Sequence, residues 1–155
     1  MNAVWHLVGG APLALGIIVL SGYDVRQGIL PDVWVLLVAA GAGFYRLCFV
    51  SDWTSALLGL CVGGVTLALL RWLSRGGLGG GDVKLGAALG LWLGAEASLL
   101  MLALAFVLGG VAALVLLLAG TRKRTLPFGP FLGVAAWLVY LFGAPWLLWY
   151  EALLC

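Results

Sequence analysis

The sequence predicts an all-α protein that crosses a membrane several times. Of its 155 residues, 65% are hydrophobic and only 9% are charged, whereas a soluble domain carries about 25% charged residues. A mean hydropathy of +1.19 excludes an ordinary soluble domain, and it also excludes a disordered chain, which needs low hydrophobicity. The apolar runs are continuous, while strands of a transmembrane barrel would alternate in polarity over about 10 residues. We therefore expect a polytopic helical membrane protein.

Six apolar runs account for nearly all of the chain. They cover approximately residues 4–20, 31–50, 55–70, 85–96, 98–119 and 130–149. Because one span needs about 20 residues, we expect about six spans in a single integral-membrane domain, residues 1–155, with no separate soluble domain. The glycine run from Gly76 to Gly81 predicts a non-helical, re-entrant-type loop before the fourth span.

The basic residues indicate the orientation of the spans. Seven of the eight Lys and Arg residues fall in the polar loops after the first, third and fifth runs. These seven are Arg26, Arg71, Arg75, Lys84, Arg122, Lys123 and Arg124. The positive-inside rule assigns these loops to the cytoplasm, so six spans would leave both termini outside. The eighth basic residue, Arg46, is expected to snorkel at the outer face.

Two acidic residues, Asp24 and Asp82, are candidates for chemistry because both lie on the predicted cytoplasmic side. If Glu96 marks the outer surface, the intervening helix is about 21 Å long, which is shorter than the hydrocarbon thickness of about 30 Å. Asp82 is then inside the membrane profile, where a carboxylate is costly and indicates function. The alternative is a hydrated aspartate that only caps a helix. For Asp32, which follows Pro31, we expect helix capping or a favourable dipole interaction.

A glycine stripe follows Asp82 along the predicted fourth helix. Asp82, Gly86, Gly90 and Gly94 are spaced four residues apart, so they share one helix face. Small residues at this spacing allow a second helix to approach closely in lipid. We therefore expect Asp82 to face a tightly packed partner helix and a wet cavity walled by glycines.

Two neighbouring carboxylates can hydrolyse a peptide bond without a metal ion. The ionised carboxylate activates water, and the protonated one polarises the scissile carbonyl. The single histidine, His6, lies at the wrong end of the first span for a His-based dyad at these aspartates. The three cysteines, Cys48, Cys61 and Cys155, lie too far apart for a tetra-cysteine zinc site. No metal and no cofactor is expected.

Three segments resemble the type IV prepilin leader peptidase family, the GxGD intramembrane aspartic peptidases. Residues 79–85, Gly-Gly-Gly-Asp-Val-Lys-Leu, match the family signature G-x-G-D-x-K-L. Residues 24–32, Asp-Val-Arg-Gln-Gly-Ile-Leu-Pro-Asp, resemble its first-aspartate segment, which typically ends in Leu-Pro-Asp. Residues 126–130, Leu-Pro-Phe-Gly-Pro, resemble its Pro-Phe-Gly-Pro segment before the last span. The segments stand in the family's order, and together they cover almost the whole chain.

The resemblance implies an aspartic endopeptidase whose catalytic pair is Asp24 and Asp82. It implies that six further residues shape the site, namely Gly79, Gly81, Lys84, Pro127, Gly129 and Pro130. The implied substrates are prepilins or pseudopilins, whose basic leader is cut at the cytoplasmic face of the bacterial inner membrane. Larger members carry an N-terminal segment, often with C-x-x-C motifs, that is linked to N-methylation. Because the first apolar run begins at once, we expect a short, peptidase-only member.

The remaining expectations concern partners. Lys84 is interpreted first as a positive-inside anchor, with holding the loop or meeting an acidic substrate residue as alternatives. Besides the protein substrate, we expect the lipid bilayer as a partner and no nucleic acid. The sequence leaves open whether the protein acts alone or as a homodimer.

Two other functional classes stay open on the sequence alone. Intramembrane aspartates, broken helices and glycine stripes also occur in small proton-coupled transporters and channel components, although no internal repeat is visible here. A structural membrane subunit could use its aspartates only as helix caps. Leader removal from a co-expressed prepilin would separate both classes from a peptidase.

Overall fold

The computed structural model describes residues 3–28, 30–50, 52–120 and 127–154, with side chains except those of residues 3–9, 49, 144–145 and 147–154. Within these ranges the chain forms six α-helices joined by short connections. The helices are α1 Ala3–Gln27, α2 Asp32–Phe49, α3 Trp53–Leu73, α4 Gly80–Leu93, α5 Ala95–Leu118 and α6 Gly129–Leu154. The predicted all-α class is confirmed. Among the described residues, α3 and α5 are long and apolar enough to cross a membrane by length and composition.

The helices extend beyond the apolar runs at two places that matter for the site. Helix α1 continues to Gln27, so Asp24 lies in its last two turns and not in a polar loop. Helix α4 begins at Gly80, inside the glycine run that was expected to be non-helical up to Gly81. The expectation is confirmed for residues 76–79 and is wrong for Gly80 and Gly81. These two glycines can be helical because first-turn N–H groups have no helical acceptor in any case, and because α4 packs against its neighbours. Residues 74–79 form a short and mostly exposed turn before α4.

Helix α4 is the centre of the described bundle. It has 14 residues, and it packs against α2, α3, α5 and α6. Half of its residues are buried: Asp82, Leu85, Gly86, Ala88, Leu89, Gly90 and Trp92. Helix α1 packs against α2 and α6. This arrangement carries Asp82 into the interior, while Asp24 approaches from α1.

The close partner of α4 is α3. A Cβ atom on Gly90 would overlap the carbonyl oxygen of Gly59, and one on Gly86 would overlap the side chain of Leu67. From the α3 side, a Cβ atom on Gly63 would overlap the carbonyl oxygen of Gly86. Backbone therefore meets backbone along this interface, as close packing through small residues requires. The expectation that Gly86 and Gly90 press against another helix is confirmed.

The far end of α4 is held by a buried arginine. Arg46 is 5% exposed, and its guanidinium donates hydrogen bonds to the carbonyl oxygens of Trp92, at 3.0 Å, and Asp52, at 3.3 Å. The indole of Trp92 stacks on the ring of Tyr45 at a centroid distance of 5.6 Å. The expectation that Arg46 snorkels is wrong, because carbonyl groups at the end of α4 and in the α2–α3 turn provide acceptors inside the protein.

Candidate active site

Asp24 is buried against the start of α6. It is 6% exposed, and its Oδ2 accepts a hydrogen bond of 2.9 Å from the backbone N–H of Gly129. A Cβ atom on Gly129 would lie only 2.6 Å from that same Oδ2. Glycine is therefore required at position 129 for space, since any side chain would displace the carboxylate or break the hydrogen bond.

Asp82 lies in the first turn of α4 and is 5% exposed. Its carboxylate lies against Gly79, the N-cap residue of the helix. An acid at the third helical position is placed to reach back toward the N-cap, as in a capping box. A Cβ atom on Gly79 would lie 2.9 Å from Oδ2 of Asp82, so this glycine also leaves space for a carboxylate.

The carboxylates of Asp24 and Asp82 lie within electrostatic range of one another. Within the described ranges neither forms a salt bridge, and Oδ1 of Asp82 has no hydrogen-bond partner. Two buried carboxylates without a counter-cation repel one another when both are ionised, so the pair is less costly when one of them is protonated. The two residues that the sequence nominated thus lie in the same region of the protein interior.

Phe128 anchors the segment that presents Gly129 to Asp24. Its ring lies 5.3 Å from that of Phe106, and a Cβ atom on Gly109 would be 3.2 Å from it. The flanking prolines restrict the same segment. Pro127 precedes α6, and Pro130 lies in its first turn, where a missing N–H costs no helical hydrogen bond. Pro127 and Pro130 thus constrain the backbone that leads into α6.

Gly81 leaves space for Leu30, which precedes α2. A Cβ atom on Gly81 would lie 2.7 Å from Cβ of Leu30, whose side chain is 8% exposed. One turn earlier, Nη1 of Arg71 donates a hydrogen bond of 3.3 Å to the carbonyl oxygen of Leu78. The contacts of Leu30, Arg71 and Phe128 were missed from sequence. Leu30 and Phe128 lie within the segments that carry the family resemblance, whereas Arg71 carries no comparable signal.

Lys84 forms an ion pair with Asp32. Its Nζ lies 2.7 Å from Oδ1 and 2.8 Å from Oδ2 of the aspartate, and the two side chains are 57% and 63% exposed. Asp32 is in the first turn of α2, where an acid suits the helix dipole. It does not cap that helix, because the N-cap position belongs to Pro31 and no side chain bonds there. Of the two roles expected for Asp32, capping is therefore wrong, whereas its place in the first turn of α2 agrees with a favourable dipole interaction.

Leu126 and the basic residues 122–124, which the sequence singled out, lie outside the described residues. Across the part of the chain that is described, no group of three or more His, Cys, Asp or Glu residues is arranged to hold a metal ion. Cys48 and Cys61 are exposed and unpaired.

The fold and the site define a class of protein. It is all-helical, has helices that could cross a membrane, and buries two carboxylates within electrostatic range of one another. The model of the type IV leader peptidase family matches residues 11–114, a range that includes Asp24 and Asp82. The chain belongs to the type IV leader peptidase family.

Its relatives include several proteins named prepilin leader peptidase/N-methyltransferase. One from Xanthomonas campestris pv. campestris is 34% identical over 152 residues, which is 90% of this chain and 51% of the relative. One from Aeromonas hydrophila is 32% identical over 155 residues, or 94% of this chain and 53% of the relative. One from Neisseria gonorrhoeae is 34% identical over 148 residues, or 88% and 49%. The chain thus spans about half the length of these curated relatives. No solved structure matches it.

Proposed function

We propose that this protein is an intramembrane aspartic endopeptidase that removes the basic leader from prepilin-like or pseudopilin substrates. We further propose that it does so at the cytoplasmic face of the bacterial inner membrane, with Asp24 and Asp82 as the catalytic pair. The observation that carries the proposal is the burial of these two carboxylates within electrostatic range of one another, without a salt bridge in the described residues. Membership of the type IV leader peptidase family supports the substrate class.

In this mechanism the two carboxyl groups share the chemistry of one water molecule. The ionised carboxylate takes a proton from water as the water oxygen attacks the scissile carbonyl carbon, and the protonated carboxyl donates its proton to the carbonyl oxygen. Collapse of the tetrahedral intermediate breaks the C–N bond, and a carboxyl group returns a proton to the leaving amine. Gly129 holds Asp24 through its backbone N–H, so that carboxylate keeps one orientation during the reaction.

The proposal is tested by co-expressing the protein with a prepilin and following leader removal on a gel, with mass spectrometry of the new N-terminus. We expect Asp24→Asn and Asp82→Asn each to abolish cleavage while the protein still accumulates in the membrane. Asp52→Asn is the matched control. Asp52 caps α3 by accepting the N–H of Ser55, and asparagine also caps helices well.

Three outcomes separate the alternatives. Near-normal turnover by either aspartate variant would remove that residue from the mechanism. A wild-type protein that never shortens any prepilin would favour a transporter, a channel component or a structural subunit. Loss of cleavage on chelation of divalent metals, or on alkylation of Cys48 and Cys61, would contradict an aspartic mechanism.

A further inference from the structure

The ion pair between Lys84 and Asp32 joins the chain segments that carry the two candidate catalytic aspartates. Lys84 is two residues beyond Asp82 near the start of α4, and Asp32 opens α2. Only the short connection after Gln27 separates Asp32 from α1, the helix of Asp24. The ammonium group of Lys84 contacts both oxygens of Asp32, although the residues are 52 positions apart in the sequence.

The ion pair links two short backbone segments that each contain one of the candidate catalytic aspartates. One segment runs from Asp24 to Asp32 and the other from Asp82 to Lys84. Asp24 and Asp82 also lie within electrostatic range of one another. Close to the ion pair, Leu30 fills the space beside Gly81. One charged and one apolar contact therefore tie the start of α2 to the start of α4, immediately beside Asp82.

These two contacts restrain the segment before Asp82, whose backbone is conformationally permissive because it is rich in glycine. Residues 76, 77, 79, 80 and 81 are all glycine, and glycine backbone loses the most conformational freedom when it is ordered. An exposed ion pair contributes little to global stability. Its local effect on such a segment is larger, because a misplacement near 1 Å in an active site can slow turnover roughly 100-fold.

We propose that Asp32 and Lys84 are positioning residues of this peptidase, whose ion pair fixes the start of α4 and so the distance between Asp82 and Asp24. This inference rests on the proposed peptidase function. It differs from a topology role for Lys84, which needs only a positive charge, and from a role in binding an acidic substrate residue, which needs that charge at position 84.

The test is a charge exchange in the full chain, purified in detergent and assayed with a prepilin. We expect Asp32→Lys and Lys84→Asp, each alone, to lower kcat roughly 10- to 100-fold with little change in KM. The double variant carries both changes and restores the pair in reverse, so we expect it to recover most of the wild-type kcat. The conservative variant Lys84→Arg, which keeps the pair, should stay within a few-fold of wild type. Arg75→Gln is the control, because Arg75 is an exposed cation in the neighbouring turn.

Each result decides between the roles. Loss of activity in Asp32→Lys alone together with recovery in the double variant supports positioning. A topology role predicts no loss when Asp32→Lys adds a positive charge, and a substrate-binding role predicts no recovery with an aspartate at position 84. A double variant no better than Lys84→Asp, although it accumulates and melts like wild type, would overturn the proposal.

If the exchanged variants fail to fold, the wild-type protein provides a second measurement. Its kcat should fall with added salt more steeply than that of Asp32→Asn/Lys84→Gln, and equal salt dependence would also overturn the proposal. A wild-type protein without activity would instead count against the peptidase function itself.

Discussion

At the scale of single residues, the site depends on positions where a side chain is missing. Gly79 leaves space for the Asp82 carboxylate, Gly81 for Leu30, and Gly129 for the Asp24 carboxylate. None of the three is needed for a left-handed backbone, since the described glycines with positive φ are Gly28, Gly76, Gly94 and Gly120. Their role is to let backbone and carboxylates approach closely, which is why the smallest substitution is informative.

Gly129→Ala tests the contact to Asp24. The added methyl group would lie 2.6 Å from Oδ2, so either the carboxylate or the start of α6 must move. We expect the protein to accumulate but to cleave a prepilin roughly 100-fold more slowly, the cost of a displacement near 1 Å. Steady-state kinetics in detergent measures the effect. Gly110→Ala is the matched control, because nothing lies within 4 Å of a Cβ atom there; equal rates in the two variants would show that the Gly129 contact does not position Asp24.

At the scale of elements, α4 is a short helix fixed at both ends and along one face. Lys84 forms an ion pair near its beginning, Arg71 bonds to the turn before it, and Arg46 donates a hydrogen bond to the carbonyl oxygen of Trp92 near its end. Between them, Gly86 and Gly90 lie directly against α3. The position of Asp82 therefore follows from how α4 is placed on α3, not from the sequence of α4 alone.

Gly90→Ala tests this interface. Its Cβ atom would overlap the carbonyl oxygen of Gly59, and because that atom belongs to the backbone, the two helices must separate. Overpacking of this kind costs about 1–3 kcal/mol, so we expect a lower melting temperature in detergent together with slower cleavage. Gly43→Ala, where a Cβ atom meets nothing within 4 Å, should change neither quantity.

The sequence alone would suggest Leu89 as a control for this interface, since it lies one residue round the helix from Gly90. Leu89 is in fact fully buried, and Leu→Ala in a core costs about 2–5 kcal/mol. Leu89→Ala is therefore not a neutral control.

A melting temperature for Gly90→Ala equal to that of wild type would contradict the close α3–α4 packing.

At the scale of the whole molecule, the described exterior is apolar and the interior holds the carboxylates of the site. Trp72 and Leu118 are 77% and 78% exposed, whereas Asp24 and Asp82 are nearly sealed. A surface of this kind suits lipid. The positive-inside rule would place the Ser74–Gly79 turn in the cytoplasm and the turn at Asp52 on the opposite side.

Cysteine labelling tests this orientation. In a variant without native cysteines, Thr54→Cys and Ser74→Cys would introduce thiols at exposed positions near opposite ends of α3. A helix of 21 residues separates them by about 30 Å. We expect a membrane-impermeant maleimide to label Thr54→Cys in cells with a permeable outer membrane, and Ser74→Cys only after the inner membrane is opened. The reverse pattern would invert the proposed orientation.

Composition and hydropathy were sufficient to predict the helical class, because continuous apolar runs with scarce charges have no other stable arrangement in a membrane. Asp24 and Asp82 could also be nominated from the sequence, since few carboxylates occur and both lie in recognisable segments. Their partners became known only from the packed helices. Gly129 is 105 residues from Asp24, and Lys84 is 52 from Asp32. Local pattern carries no information about such pairs, because they arise only when helices distant in the chain pack together and glycines on facing surfaces leave close space between them.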